Sequence, residues 1–274
     1  MGEELSPLGF PPNPLEKPGY VLEFHDEFDG PELDTRKWVP YYLPQWSSRA
    51  QSAPRYEIRQ GQLRLQITRD QPPWCPEFDG EIRCSSIQTG LFAGLPGSPA
   101  GQHRFNPALV VREAQENAAT YTPQYGYFET RVKAIKSSAN HVAVWMIGYE
   151  DAPERSGEIA ICEIMGDEIA NETSKVGLGV HPWGDPALED AFYRQPVGID
   201  ASRFHIYAVE WLPDRLDFYV DNVKVRSIDQ SPNYPMQFMV SIYENPSKPD
   251  SGAPYPREFA IDYFRAYQPE GGYR

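Results

Sequence analysis

From Tyr125 onward, short apolar segments follow one another closely, separated by brief polar breaks. No segment carries a sustained helical stripe, and the 28 prolines and 21 glycines favour turns over long helices. Many short strands with turn signals between them are typical of a single antiparallel β-sandwich. We therefore predict strands over residues 127–135, 142–149, 158–165, 175–181, 203–211, 216–227, 236–243 and 259–267.

The first half of the chain has fewer strand patterns. We predict strands over 21–24 and 63–67, and a long loop-like segment over 70–124 with two short strands near Ile87 and Leu109. Ordered loops of this length usually carry function or shape a cleft. The sequence divides into an irregular, proline-rich lead-in (1–19), one β domain (20–268) and a short tail (269–274).

The acidic composition limits the partners. The formal net charge is −14, which argues against nucleic acid and anionic membranes and favours uncharged ligands. The longest apolar run, Val142 to Ile147, is too short to cross a membrane. The first seven residues have neither a basic nor an apolar region of a signal peptide, so the sequence leaves the location open.

One strand contains two carboxylates that need a physical reason. Glu158 and Glu163 lie five residues apart in an Ile-rich run between Gly157 and Gly166. Burying an unpaired carboxylate is costly, and side chains five apart in a regular strand point to opposite faces. One extra residue, a β-bulge, would return both to the same face, and bulges are common beside active sites. We therefore predict a bulge that directs both glutamates into one cleft.

Five motifs spread over residues 20–268 share their order with a known family. Any one of them is weak, but five in order are strong. They are residues 26–30 with 33–38, 125–133, 157–163, 204–211 with 218–221, and 261–268. Together they resemble glycoside hydrolase family 16.

The resemblance implies an all-β fold, an antiparallel jelly-roll sandwich of the concanavalin A-like lectin/glucanase type with a concave substrate cleft. It places the chain in the bulged, laminarinase-like branch, which includes β-galactanases. The implied activity is that of a retaining, endo-acting hydrolase of β-linked glucan or galactan. Carried over by position, Glu158 is the nucleophile and Glu163 the acid/base. The expected partner is a polysaccharide or oligosaccharide, and the expected protein is an extracellular monomer.

Ala160 departs from the family, which has aspartate there between the two glutamates. That aspartate helps to hold the two carboxyls in different protonation states. With alanine at position 160, either another group sets the protonation state of Glu163, or turnover is slow, or the site no longer hydrolyses a glycan. The alternative function is therefore a weakly active or non-catalytic glycan-binding protein.

Aromatic and imidazole side chains are the candidates for substrate binding. His141 replaces a tryptophan that stacks on sugar in the family, which suggests a substrate other than ordinary β-1,3-glucan. His181 matches a family histidine. Trp145 matches the family's second tryptophan and is expected to border the cleft. Trp183 and Tyr243 can stack on sugars or simply pack, as can Trp46 and Trp74, and Glu244 can face either the cleft or solvent.

The resemblance also implies a structural calcium ion away from the cleft. The matching positions are Glu27, the backbone oxygen of Gly61, and Asp262. Oxygen ligands suit calcium. No cofactor is expected for catalysis. The three cysteines are too few for a disulfide framework; Cys75 and Cys84 are close enough to pair across a loop, and Cys162 fits a core thiol.

Overall fold

A computed structural model describes residues 9–249 and 252–273. Strands dominate these ranges, in which the α-helices are the four-residue α1 (Arg49–Ser52) and α2 (Pro76–Asp79), and two 3-10 helices cover Pro44–Trp46 and Gly166–Glu168. The strands are β1 (Tyr20–Asp26), β2 (Arg55–Ile58), β3 (Leu63–Ile67), β4 (Arg83–Gln88), β5 (Gly90–Leu91), β6 (Ala118–Ala119), β7 (Gly126–Lys133), β8 (Asn140–Gly148), β9 (Glu158–Met165), β10 (Ser174–His181), β11 (Ala191–Val197), β12 (His205–Trp211), β13 (Leu216–Val220), β14 (Val223–Ile228), β15 (Met236–Glu244) and β16 (Arg257–Pro269).

Two antiparallel sheets form the sandwich. The eight-stranded sheet has the order β14-β13-β12-β7-β16-β3-β2, with β1 added to β16. The six-stranded sheet has the order β11-β10-β9-β8-β15-β4. Strands distant in sequence lie side by side in both sheets, as β15 does between β8 and β4. The predicted all-β, antiparallel fold class is confirmed.

The main hydrophobic core lies between the two sheets. On β8, Val142, Val144 and Met146 alternate toward it, as expected of a strand with one face on the core. From the opposite sheet, β16 contributes Phe259 and Phe264. All five side chains are at most 1% exposed, and burial of each contributes roughly 1.5–3 kcal/mol.

A layer of loops covers the other face of the six-stranded sheet. Trp46, Trp74 and Leu109 from these loops pack against Trp145 and Tyr243 of the sheet in a second hydrophobic cluster. The long segment predicted to shape a cleft therefore contributes to that layer. The strand predicted near Ile87 is present as β4, but the strand predicted near Leu109 is wrong. Leu109 is fully buried in irregular chain, where its apolar side chain serves packing rather than a ladder.

Other expectations have mixed outcomes. Strands β2 and β11 have no counterpart in the sequence prediction. Residues 1–8 of the lead-in lie outside the described residues, and residue 274 of the tail does too. Cys75 and Cys84 are both free and buried, and Cys162 lies in the main core as predicted. Among the described residues, no helix has the length and apolarity needed to cross a membrane.

Candidate active site

A bulge in β9 determines which way its side chains point. Glu163 pairs with Gly177 of β10, and Ala160 pairs with Gly179. Two residues therefore separate the pair on β9, and one separates it on β10. On the other side, Cys162 and Ala160 pair with successive residues of β8. Strand β9 thus has one extra residue relative to both neighbours, as the spacing of the glutamates predicted.

The extra residue brings the two glutamates to one face. Ile161 and Cys162, although consecutive, both lie in the core between the sheets. Glu158, Ala160 and Glu163 instead line a cavity of about 360 Å³ on the loop-covered face, called here the first cavity. Without the bulge, one glutamate would enter the apolar core.

Glu158 is the more enclosed of the two. Its side chain is only 7% exposed, and the indole Nε1–H of Trp183 donates to its Oε2 at 2.7 Å. Burial raises the pKa of Glu158 to about 7, although the Trp183 hydrogen bond favours the ionised form and opposes that rise. A carboxyl with this pKa changes charge close to neutral pH.

Glu163 lies beside a cation. Arg194 of β11 places Nη1 3.3 Å from Glu163 Oε1 and also contacts Glu168. Burial raises the pKa of Glu163, and the guanidinium of Arg194 opposes the rise. Gly177 makes room for this contact, since a Cβ there would lie 2.6 Å from Arg194 Nη1. The net effect is a raised pKa, so the site favours the protonated form of Glu163 more than water does, and Arg194 limits that preference.

His181 lies on β10, the strand that pairs with Glu158 and Ala160 of β9. Ala160 is 1% exposed and brings no polar group to the cavity. His181 pairs with Glu158 across the strands, stacks on Phe192 and places Nδ1 2.6 Å from Asp190 Oδ1. Burial raises the pKa of both glutamates, and the electrostatic effect of His181 opposes the rise at each. Asp190 adds to the rise at Glu158.

The remaining predicted cleft residues surround the same cavity. His141 stacks on Tyr243 with ring centroids 4.4 Å apart, and burial lowers its pKa to about 4, so the imidazole is neutral. Trp145 is 5% exposed, and its indole N–H donates to Ser241 Oγ at 3.4 Å. All seven predicted catalytic and substrate-binding residues therefore line the first cavity: Glu158, Glu163, His141, Trp145, His181, Trp183 and Tyr243.

Comparison with known proteins agrees with this geometry. The model of the family "Glycosyl hydrolases family 16" matches residues 106–264, more than half of the chain. This chain belongs to glycosyl hydrolases family 16. Among solved structures, it is similar to a GlcNAcα1-4Gal releasing endo-β-galactosidase from Clostridium perfringens. Identity is 36%, the TM-score is 0.84, and the match covers 97% of this chain and 66% of the other.

Two curated relatives of this family 16 chain differ in what they are named for. A β-glucanase of Acetivibrio thermocellus is 33% identical over 123 residues, which are 43% of this chain and 34% of that protein. A β-1,3-glucan-binding protein of Penaeus monodon is 28% identical over 140 residues, 47% of this chain and 37% of the other. The chain thus spans about a third of the length of the curated relatives it matches.

Several residues of the family 16 site were not predicted. His103 and Phe105 reach the first cavity from the long segment 70–124, as does Asp79 at the end of α2, and Tyr42 reaches it from an earlier loop. Arg194 comes from the unpredicted β11. Trp74, which the sequence left open between stacking and packing, also borders the cavity and donates its indole N–H to Asp79. The only signal for the first two was the length of the loop, which does not say which side chains turn inward.

Glu244 is not a cleft residue. Its side chain is 1% exposed and accepts hydrogen bonds from Arg257 at 2.8 Å and Arg83 at 2.9 Å. The tyrosine hydroxyl of Tyr255 also donates to it. A carboxylate this deeply buried requires such partners, and the ion pair is structural.

The predicted calcium ligands have other partners. Arg265 donates to both carboxylate oxygens of Glu27, at 2.8 and 2.7 Å, and Arg131 donates to Asp262 Oδ2 at 2.8 Å. Two of the three predicted ligands are therefore engaged with guanidinium groups, and these contacts do not fit a calcium ion. Within the described residues, no cluster of three His, Cys, Asp or Glu side chains is arranged to hold a metal. Calcium binding at Glu27, Gly61 and Asp262 stays a prediction of the resemblance.

Proposed function

We propose that this protein is a retaining, endo-acting glycoside hydrolase that cleaves a β-linked polysaccharide or oligosaccharide. The observation that carries the proposal is the β9 bulge, which places Glu158 and Glu163 in one cavity. Two carboxyls flanking the scissile bond are the usual requirement for this chemistry. Membership of family 16 supports the same class of reaction.

The chemistry assigns one role to each glutamate. Ionised Glu158, oriented by the Trp183 indole N–H, attacks the anomeric carbon and forms a glycosyl-enzyme intermediate. Glu163 donates a proton to the leaving oxygen and then, as a carboxylate, accepts a proton from the attacking water. Burial favours the protonated form needed first, and Arg194 favours the ionised form needed second.

Within the glucan and galactan alternatives, we favour a β-galactosidic bond. The solved structure from Clostridium perfringens, similar over 97% of this chain, is described as an endo-β-galactosidase. The neutral His141 ring, stacked on Tyr243, is also a smaller surface for a sugar than the tryptophan that the family resemblance places at this position. A galactose ring, with its axial 4-hydroxyl, requires a differently shaped wall from glucose.

The second candidate function is glycan binding without turnover. Ala160 removes a carboxylate from the site, and a relative is named for β-1,3-glucan binding. Retention of both glutamates favours the enzyme, because a binding site gains little from two carboxyls of raised pKa.

The deciding experiment incubates the protein with a panel of β-galactans, β-glucans and mucin-type glycans, with mass spectrometry of the released oligosaccharides. We expect release from a galactose-containing member, its loss in Glu158→Gln with binding kept, and an initial product of retained anomeric configuration by proton NMR. Binding of a glycan by the wild type without any release would overturn the hydrolase proposal in favour of the second candidate.

A further inference from the structure

Three adjacent strands direct Arg194 to Glu163 across a glycine. Gly177 of β10 pairs with Glu163 of β9 on one side and with Arg194 of β11 on the other. Residues paired in this way point to the same face of a sheet. Gly177 has no side chain of its own, and a Cβ there would lie 2.6 Å from Arg194 Nη1 and 3.1 Å from the Cβ of Glu163. The long arginine side chain therefore lies over the glycine and reaches the carboxylate.

Arg194 is shared between two carboxylates. Its Nη1 lies 3.3 Å from both Oε1 and the backbone oxygen of Glu163, and its Nη2 donates to Oε2 of Glu168. Glu168 ends the 3-10 helix Gly166–Glu168, which follows β9 directly, and Lys175 Nζ lies 3.5 Å from its Oε1. When Glu163 is protonated, Arg194 thus keeps a second carboxylate as its partner.

Partial burial makes this sharing matter for the charge of Glu163. The side chains of Arg194, Glu163 and Glu168 are only 26%, 24% and 25% exposed. A guanidinium cannot lose its proton, and removing one partner of a buried ion pair leaves the other charge uncompensated at a high cost. An isolated Arg194–Glu163 pair would therefore oppose protonation of Glu163. Glu168 reduces that opposition, because it remains paired with Arg194 when Glu163 becomes neutral.

Other charged and titratable groups face Glu163 from the first cavity. They are the carboxyls of Glu158 and Asp79, the imidazoles of His141, His103 and His181, and the hydroxyls of Tyr42 and Tyr243. Burial lowers the pKa of both His141 and His103 to about 4, so these rings are neutral. Burial raises the pKa of Glu163, the charges of Arg194 and His181 lower it, and the charge of Glu168 raises it. Arg194 and Glu168 are not among the residues that line the cavity, so they act on the reaction through Glu163.

We propose that Arg194 and Glu168 are positioning residues that determine when Glu163 holds its proton. This rests on the proposed function only in that Glu163 gives and takes the proton. While Glu163 is protonated, Arg194 pairs with Glu168. When the glycosidic C–O bond breaks, the Glu163 proton moves to the leaving oxygen, and Arg194 also pairs with the new carboxylate. In the second step this carboxylate takes a proton from the water that attacks the anomeric carbon, Glu158 leaves as a carboxylate, and Arg194 again pairs with Glu168 alone.

The test follows the Glu163 carboxyl itself. Glutamate carboxyls labelled with ¹³C are titrated by NMR in the free protein, and Glu163→Gln identifies the signal. Arg194→Gln removes the cation, Glu168→Gln removes the second carboxylate, and a third variant combines the two changes. Arg194→Lys keeps the charge without the two-armed contact. Circular dichroism confirms that each variant folds, and the pH dependence of kcat/KM is measured on the glycan that the wild type cleaves.

Each charge change has a matched control. Arg226→Gln is the control for the arginine, because Arg226 of β14 also reaches β11 but donates to Gln195 and lies over the ring of Tyr193. Glu172→Gln is the control for the glutamate, because Glu172 is exposed in the turn before β10. Both controls change the net charge by the same amount as the variants they match.

The two variants should move the titration midpoint of Glu163 in opposite directions. Arg194→Gln should raise it by about one unit, since a neighbouring opposite charge is lost, and Arg194→Lys should restore part of the wild-type value. Glu168→Gln should lower it by more than about 0.3 units, because Arg194 then serves Glu163 alone. This second shift should be smaller in the combined variant, which lacks Arg194. The basic limb of kcat/KM should move in the same direction as each midpoint.

A structural ion pair would leave the midpoint of Glu163 in place. A midpoint within about 0.3 units of the wild type in either Arg194→Gln or Glu168→Gln, an upward shift in Glu168→Gln, or equal shifts in the controls would overturn the proposal. The NMR titration needs no substrate. Absence of hydrolysis by the wild type would therefore remove the proposed function, while the opposite shifts would still show that Arg194 and Glu168 determine when Glu163 holds its proton.

Discussion

Replacing Trp183 with phenylalanine isolates the hydrogen bond that favours ionised Glu158. The ring and its contact with His103 are largely kept, while the Nε1–H that lies 2.7 Å from Glu158 Oε2 is lost. Because this donor stabilises the carboxylate and not the acid, its loss raises the pKa of Glu158 further above its value of about 7.

The size of the effect follows from the geometry. A short hydrogen bond to a charged acceptor contributes about 1.5–3 kcal/mol. At about 1.4 kcal/mol per pKa unit, the pKa of Glu158 rises by about one to two units. If ionised Glu158 is the nucleophile, the acidic limb of the pH profile of kcat/KM moves upward by the same amount. At pH 6, kcat/KM falls about 10- to 100-fold, since the ionised fraction falls tenfold per unit.

Two measurements check this prediction. The pH dependence of kcat/KM on the cleaved glycan gives the kinetic midpoint, and a titration of ¹³C-labelled glutamate carboxyls by NMR gives the pKa of Glu158 without requiring turnover. Trp145→Phe is the control, because the Trp145 indole N–H donates to Ser241 and not to a glutamate. A Glu158 midpoint that moves by less than about 0.3 units in Trp183→Phe, or equally in both variants, would refute the reasoning.

Four further outcomes are expected. In Glu158→Gln, the free energy of unfolding by denaturant should exceed that of the wild type by about 3 kcal/mol at pH 8 and by almost nothing at pH 4. The reason is that the folded-state pKa of about 7 exceeds the ordinary 4.5, so the wild type loses stability as pH rises between these values. Equal gains at both pH values would contradict this. Ala160→Asp should raise the pKa of both glutamates by like-charge repulsion and bring no gain in rate, since His181 already acts on them; a several-fold faster enzyme would show that a carboxylate at position 160 matters for turnover. Glu244→Gln should lower the unfolding free energy by about 3–5 kcal/mol, as the buried Arg257 loses its carboxylate, and a loss below about 1 kcal/mol would argue against a structural ion pair. Calcium or EDTA should leave the melting temperature unchanged if Arg265 keeps Glu27, whereas a rise of several degrees with calcium would show that the ion displaces it.

The amino-acid sequence is enough to predict the sandwich and the face to which the side chains of β9 point. Alternating apolar positions are a local property, so β3, β8 and β9 can be predicted from them. The bulge also followed from local facts, because two glutamates five apart can avoid the core together only if one residue is added. The identities of the glutamates and of the aromatic residues around them came from the family motifs.

The groups that surround the glutamates depend on tertiary packing. Arg194 and His103 approach from segments 31 and 55 residues away from the nearer glutamate, and no local pattern records which of their side chains face inward. No local pattern records the surroundings of Glu244 either: this strand residue follows Tyr243 of the cleft, but its carboxylate forms a buried ion pair with Arg257. The face to which a strand side chain points follows from a period of two, whereas the partners of a buried charge depend on how loops and sheets pack. The two glutamates were therefore evident in the sequence, but their electrostatic surroundings were not.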